Sequence, residues 1–324
     1  MSKTAKKWLI AATFLVVAGM ILFVAVMMIY HWDFSRLSTS KTETNTYEIK
    51  EEFSNIKFNT KEADILFVAS DGACKVVCRE QKNVNNSVNV QDDTLTVNET
   101  DNRKWYEYIG INTQSTEITV YLPKTDYESL VIKASTGDIE IPGKIKFKSA
   151  DISLSTGDVN FSSPVSKSAK IHTTTGDIRV ENASAGDLDL SATTGDITVS
   201  GMTCGGDVKT KVTTGSVRAV NVTCKNLVSS GDTGNINLKN VIAKEKFSVE
   251  RSTGNVEFEN SDAAGIYVKT DTGNVKGTLL SQKVFITETS TGNVDTPKTV
   301  TGGKCEIITT TGDIKVKISA GVDK

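Results

Sequence analysis

Histidine and proline are scarce in this 324-residue chain, with two of the first and four of the second. His31 follows a long apolar run and His172 lies inside a repeated unit. Neither has an acid and a nucleophile nearby or metal-ligand spacing to another ligand, so no triad and no zinc site is legible. His172 reads as an exposed strand residue. Aromatic residues make up only 6% of the chain, low for a surface that stacks bases or sugars. The net charge of −2 gives no basic footprint for nucleic acid. No glycine-rich phosphate loop is present. Cys74 and Cys78 share one expected strand. Extended chain separates them by about 13 Å, too far for a disulfide unless a turn intervenes.

What is abundant is one tripeptide. Thr-Gly-[Asp/Asn/Ser] occurs ten times, with glycines at Gly137, Gly157, Gly176, Gly195, Gly215, Gly234, Gly254, Gly273, Gly292 and Gly312. Successive gaps are always 19 or 20 residues. The residue before each glycine is Thr, and the residue two after it is Ile or Val in all ten units. Apolar residues also concentrate seven and five before the glycine and four after it, as in Leu188, Leu190 and Val199 around Gly195. That is strand periodicity, twice per unit, on either side of a turn. Glycine reaches positive φ cheaply, and a neighbouring Asp or Asn hydrogen-bonds local backbone, so the tripeptide suits the turn. No apolar stripe recurs at helical spacing.

Two architectures could use this unit: a hairpin per repeat in a barrel or sandwich, or one coil per repeat in a β-solenoid. In-register stacking rewards a column that holds the same residue ten times, and a barrel does not. The expected fold is therefore all-β: a single-stranded β-solenoid, or β-helix, of about ten coils of 19–20 residues spanning 129–324. At about 4.8 Å per coil its rod would be roughly 45–50 Å long.

Ahead of the repeats, Lys3, Lys6 and Lys7 precede an uncharged run from Leu9 to Tyr30. That run, at about 1.5 Å per residue, matches a bilayer core of about 30 Å. Trp8, Tyr30 and Trp32 flank it as an interfacial belt would. The lysines place residues 1–8 in the cytoplasm and everything after His31 outside. The apolar run exceeds a signal-peptide core and lacks a small-residue cleavage site, so a retained single-pass anchor over 9–30 is expected. Residues 31–46 read as a linker and 47–128 as an N-terminal β cap. The cap begins with a degenerate first coil in which Ala63 stands where glycine is expected. Strands are expected near 75–77, 94–97 and 117–122, with irregular polar stretches at 81–89 and 98–112.

The position after the glycine reads Asp138, Asp158, Asp177, Asp196, Ser216, Asn235, Asn255, Asn274, Asn293 and Asp313. Stacked Asn side chains can form an amide ladder. Stacked carboxylates repel by roughly 0.9 kcal/mol per neighbouring pair in water, a small cost at a solvated turn. These residues read first as turn residues. A functional alternative makes Asp138, Asp158, Asp177 and Asp196 a row of Ca²⁺ ligands. Another gives such a row glycan hydrolase or lyase chemistry, which needs paired carboxylates in unlike environments, whereas a uniform ladder makes them alike. Cys204 and Cys224 each lie nine residues after a repeat glycine, in a column shared with Ala185, Ala243 and Ala263. A solenoid would bring them to about 5 Å, as a thiol contact or a disulfide.

The recurring [ST]-T-G-[DN]-[IV]-x-[VIF] unit, together with the Val120-Tyr121-Leu122-Pro123 strand, resembles the bacterial β-strand-repeat family of candidate adhesins, including LiaG-like cell-envelope proteins. The resemblance covers roughly 47–324. It implies a Gram-positive envelope setting with a link to envelope stress, and it supplies no catalytic residues. The expected function is a non-catalytic, membrane-anchored envelope protein without a cofactor. Its repetitive face would serve adhesion or contact with the cell wall or another envelope protein, with weak contacts adding through multivalency. The alternatives are a polysaccharide-processing β-helix enzyme and a self-polymerising scaffold.

Overall fold

The computed structural model describes residues 2–33, 42–108 and 115–319. Helix α1, Lys3–Ile29, opens on Ser2, whose hydroxyl accepts from the Ala5 N–H at 3.2 Å. It is apolar on every face and almost wholly exposed. A helix apolar all round has no stripe with which to dock on a core. By length and composition it is able to cross a membrane. His31 and Trp32, both at positive φ, turn the chain away from its end.

The rest is a β-solenoid of about ten turns, as the repeat requires. In the Gly157 coil, Lys146–Thr156 runs up to the glycine and Val159–Phe161 leaves it. Both pair in parallel with their counterparts one repeat away. Ile152 sits between Ile132 and Ile171, and Thr156 between Thr136 and Thr175. The Ile/Val column therefore stacks on itself inside the rod, with Ile178, Ile197 and Ile236 fully buried. Glycine is needed at the turn for two reasons. Gly157 has φ +135°, and a Cβ there would lie 2.2 Å from the Gly137 carbonyl oxygen.

The second bend of each coil carries a signal that strand periodicity alone does not supply. Asn182, Asn221, Asn240 and Asn260 adopt φ of 51°, 55°, 53° and 49°, and Gly201 takes the same place at 59°. These residues sit six after their repeat glycines. Asn tolerates the left-handed region better than other side-chain-bearing residues. Here Asn240 Nδ2 also donates to Asn221 Oδ1 at 2.9 Å, linking neighbouring coils.

Both ends depart from chain order. Near the N-terminus, Asn55–Glu62 and Asp64–Ala69 form a coil that stacks directly on the Gly137 coil, with Ala63 at the glycine position. Thr94–Asp101 and Glu117–Leu122 then stack on its outer side. Three antiparallel strands cover the edges of this end: Thr42–Ile49, Cys74–Gln81 and Val84–Gln91. Two sequence expectations are corrected here. Residues 84–91, and 98–101 at the end of Thr94–Asp101, form strands rather than irregular stretches, the first joined to Cys74–Gln81 by a turn at Asn83 with φ 71°. The segment expected to be linker up to residue 46 already pairs as a strand from Thr42. That strand is mostly exposed, so it has no apolar alternation to betray it. Linker residues 34–41, part of the 98–112 stretch (109–112) and the last five residues of the repeat region lie outside the described residues.

At the C-terminus the last two repeats exchange places. Gly303–Thr311 and Ile314–Ile318 stack directly on the Gly273 coil. Lys283–Thr291 and Val294–Asp295, earlier in sequence, pair only with that final repeat and form the outermost coil. The Ile/Val column is therefore not buried throughout: Val294 is 46% exposed, because nothing stacks above it.

Candidate functional site

Two parallel stripes run along the turn edge of the rod. The first is the residue after the glycine. Each of its Asp and Asn side chains except Asn293, on the outermost coil, accepts the backbone N–H of the next coil. Asp138 Oδ1 accepts from Asp158 N at 2.8 Å, Asp158 Oδ1 from Asp177 N at 2.8 Å, and Asp177 Oδ1 from Asp196 N at 2.9 Å. Asp196 Oδ1 continues to Ser216 N at 2.7 Å, and Asn235 and Asn255 repeat the bond further along. The ladder follows spatial order even where the last coils are exchanged, from Asn274 to Asp313 and then to Asn293. Charge-assisted acceptance of a backbone N–H offsets the repulsion between stacked carboxylates. Arg179 further bridges Asp158 at 3.4 Å and Asp177 at 2.6 Å. The four Asp proposed as Ca²⁺ ligands thus each commit one oxygen to backbone. Among the described residues no group of three or more His, Cys, Asp or Glu is placed to share a metal ion.

The second stripe is the invariant threonine. All ten, from Thr136 to Thr311, are exposed. The strand register sets them one above another without a break, with Thr291 stacked outside Thr311 at the end. The residue before each is Ser or Thr in eight of ten coils, Asp232 and Asp271 being the exceptions. The outcome is a flat, hydroxyl-rich band repeating at the interstrand spacing of about 4.8 Å. His172 stands on another outer face, half-buried, with Nδ1 2.8 Å from Ser191 Oγ of the next coil.

All five cysteines are buried free thiols. Thr203 pairs with Thr223, which sets Cys204 and Cys224 in one interior column on adjoining coils. Burial pushes their thiols up to about 11 and about 12, so both stay protonated at neutral pH. Thiolate reagents are accordingly expected to label neither in the folded chain. A short bifunctional thiol-reactive crosslinker applied under partial unfolding should join 204 to 224, read by mass spectrometry of proteolytic peptides. Cys74 and Cys78 lie on one strand, with thiols raised by burial to about 11 and about 12.

Sequence reading missed two polar groups inside the rod. Arg251 is buried in an interior column and donates from Nη1 to the Val212 carbonyl at 2.8 Å. It passes over Gly231, where a Cβ would lie 2.0 Å from Nη1. Its Nε and Nη2 are buried without a partner, and burial lowers its pKa, partly offset by Asp232. Thr210 and Ser229 share a buried hydrogen bond of 2.9 Å in a neighbouring column. The signal was the simultaneous loss of apolar residues from two adjacent columns in consecutive units. The second group is Lys283, buried against Asp262 at 2.6 Å.

The repeat, its stacked coil and its glycine turns coincide with one known family. The Toastrack DUF4097 model matches residues 53–219 and 205–323. This chain belongs to the Toastrack DUF4097 family. No curated protein matches it. Among solved structures, the Toastrack chain is similar to a Parabacteroides distasonis protein named as a candidate lipid-binding protein. The identity is 15%, the match covers 86% of this chain and 98% of the other, and the TM-score is 0.52. A Parabacteroides merdae protein named as a candidate adhesin aligns at 15% identity over 86% and 98% of the two chains, with a TM-score of 0.47. At 15% identity, what the first of these shares with this chain is the fold. Neither the family description nor these names indicate a catalytic activity.

Proposed function

We propose that this Toastrack protein is a non-catalytic, membrane-anchored rod of the cell envelope that binds a repeating polymer of the wall through its threonine band. The observation that carries this reading is the unbroken column of ten exposed threonines in strand register. One hydroxyl contact is weak, but a rigid row presents many at a fixed pitch. Contacts made by a pre-ordered row add without fresh ordering cost. Helix α1 supplies the anchor. Because the N-terminal end carries the antiparallel strands and is joined to α1, the coils would project away from the membrane. The resemblance to envelope proteins agrees with such a role.

The test is isosteric removal of hydroxyls. The full chain in membrane vesicles is mixed with isolated cell wall, and retention is measured. Thr175, Thr194, Thr214 and Thr233 are replaced by Val singly and together. Single changes should lower retention slightly, and the fourfold change should lower it far more than four times as much. Unchanged retention of the fourfold variant overturns the reading.

A further inference from the structure

Lys283 stands where the chain leaves chain order. Val275–Leu279 still stacks in sequence on Val256–Thr272. The chain then climbs through residues 280–282 to the outermost coil, leaving a level that the final repeat later fills. At that step the Lys283 side chain turns inward. It is 2% exposed, at a strand position in register with Gly303. Its Nζ reaches Asp262 Oδ1 at 2.6 Å and contacts Ser281 Oγ. The Ala263 N–H donates to the same Asp262 oxygen at 2.8 Å.

We propose that Lys283 and Asp262 condense to an intramolecular isopeptide bond that locks the exchanged coils. A contact this short puts the amine nitrogen about 3–3.5 Å from the carboxyl carbon, within the near-attack range. One proton passes from the ammonium to the carboxylate, leaving an amine and a carboxylic acid. The nitrogen lone pair adds to Cγ, the C=O electron pair moves onto the unprotonated carboxyl oxygen, and the Ala263 N–H holds Oδ1, the oxygen that has taken the proton. The nitrogen then loses a proton through Ser281 Oγ to the departing hydroxyl, the C–O bond breaks and water leaves. The balance is amine plus acid to amide plus water, with no oxidant and no outside reagent. Asp262, Ser281 and Lys283 line an open cavity of about 660 Å³ that gives the water an exit.

Three features favour the amide over the ion pair. A buried ion pair carries a desolvation penalty that its mutual attraction often fails to recover, and the amide removes both charges. Fixing the two groups in contact gives an intramolecular reaction an effective molarity of order 10⁵–10⁸ M. The adjoining Cys305 thiol, raised to about 12 by burial, stays protonated and adds no competing anion. The bond would close a covalent ring at the level where the last repeat is inserted, so the outermost coil could not peel away.

The purified full chain decides the matter by mass. The expected result is an intact mass one water below that of the sequence. Trypsin should leave Lys283 uncut and yield residues 252–269 joined to residues 277–298. Lys283→Arg and Asp262→Ala should each restore the sequence mass. A wild-type chain at full sequence mass, cut after Lys283 and releasing 252–269 unlinked, overturns the proposal whatever the variants do.

Discussion

Replacing Ile197 with Asp is expected to unfold the middle of the rod, while the same change at Val294, in the same repeat column, should be tolerated. Ile197 is fully buried between Ile178 and Val217. An Asp there places a charge in a dry column with no partner, at an expected cost of about 4–5 kcal/mol. Val294 is half-exposed on the outermost coil, where an Asp remains solvated and should cost about 1 kcal/mol or less. Thr198→Asp, on the outer face beside Ile197, should cost similarly little. Urea unfolding followed by circular dichroism measures all three. Equal losses at Ile197 and Val294 would contradict the exchange of the last two coils. Equal losses at Ile197 and Thr198 would contradict the strand faces.

The second large effect is expected at the turn. Gly195 has φ +139°, and a Cβ there would lie 2.1 Å from the Gly176 carbonyl oxygen. That oxygen belongs to the backbone of the adjoining coil and has no rotamer by which to move aside. Gly195→Ala therefore combines backbone strain with an overlap that only separating two coils can relieve, at about 3–4 kcal/mol. Gly205→Ala is the control. Its added Cβ would meet nothing nearer than the Ala185 carbonyl oxygen at 4.0 Å, so its expected cost is within about 0.5 kcal/mol. Because each coil touches mainly its neighbours, the Gly195 variant should also open locally, with protease cutting near 195 before either end. Indistinguishable midpoints for the two variants would remove the steric account of the repeat glycine.

The sequence by itself determined the coil: its length, its buried faces, its glycine turn and the stacking of like on like. It could do so because those properties are local and repeat ten times, so each column averages out the noise of any single position. The Asp/Asn column was legible as turn chemistry, but its bond to the next coil's N–H was not. That bond depends on a neighbour 19 or 20 residues away and on the depth of stacking. Arg251 and Lys283 were hidden for a related reason. Each is an ordinary basic residue in the chain; Arg251 becomes unusual only where the facing Gly231 opens room for it inside the rod, and Lys283 only where the step to the outermost coil brings it onto Asp262. The order of the coils was decided by tertiary structure alone. Ten near-identical units can stack on one another in any order with similar local energy, so periodicity carries no information on which follows which. At the C-terminal end the free edge falls to the coil of Val294, while the last repeat is covered on both sides. At the N-terminal end, antiparallel strands outside the repeat cover the edge, as stacked sheets require if they are not to pair with strangers.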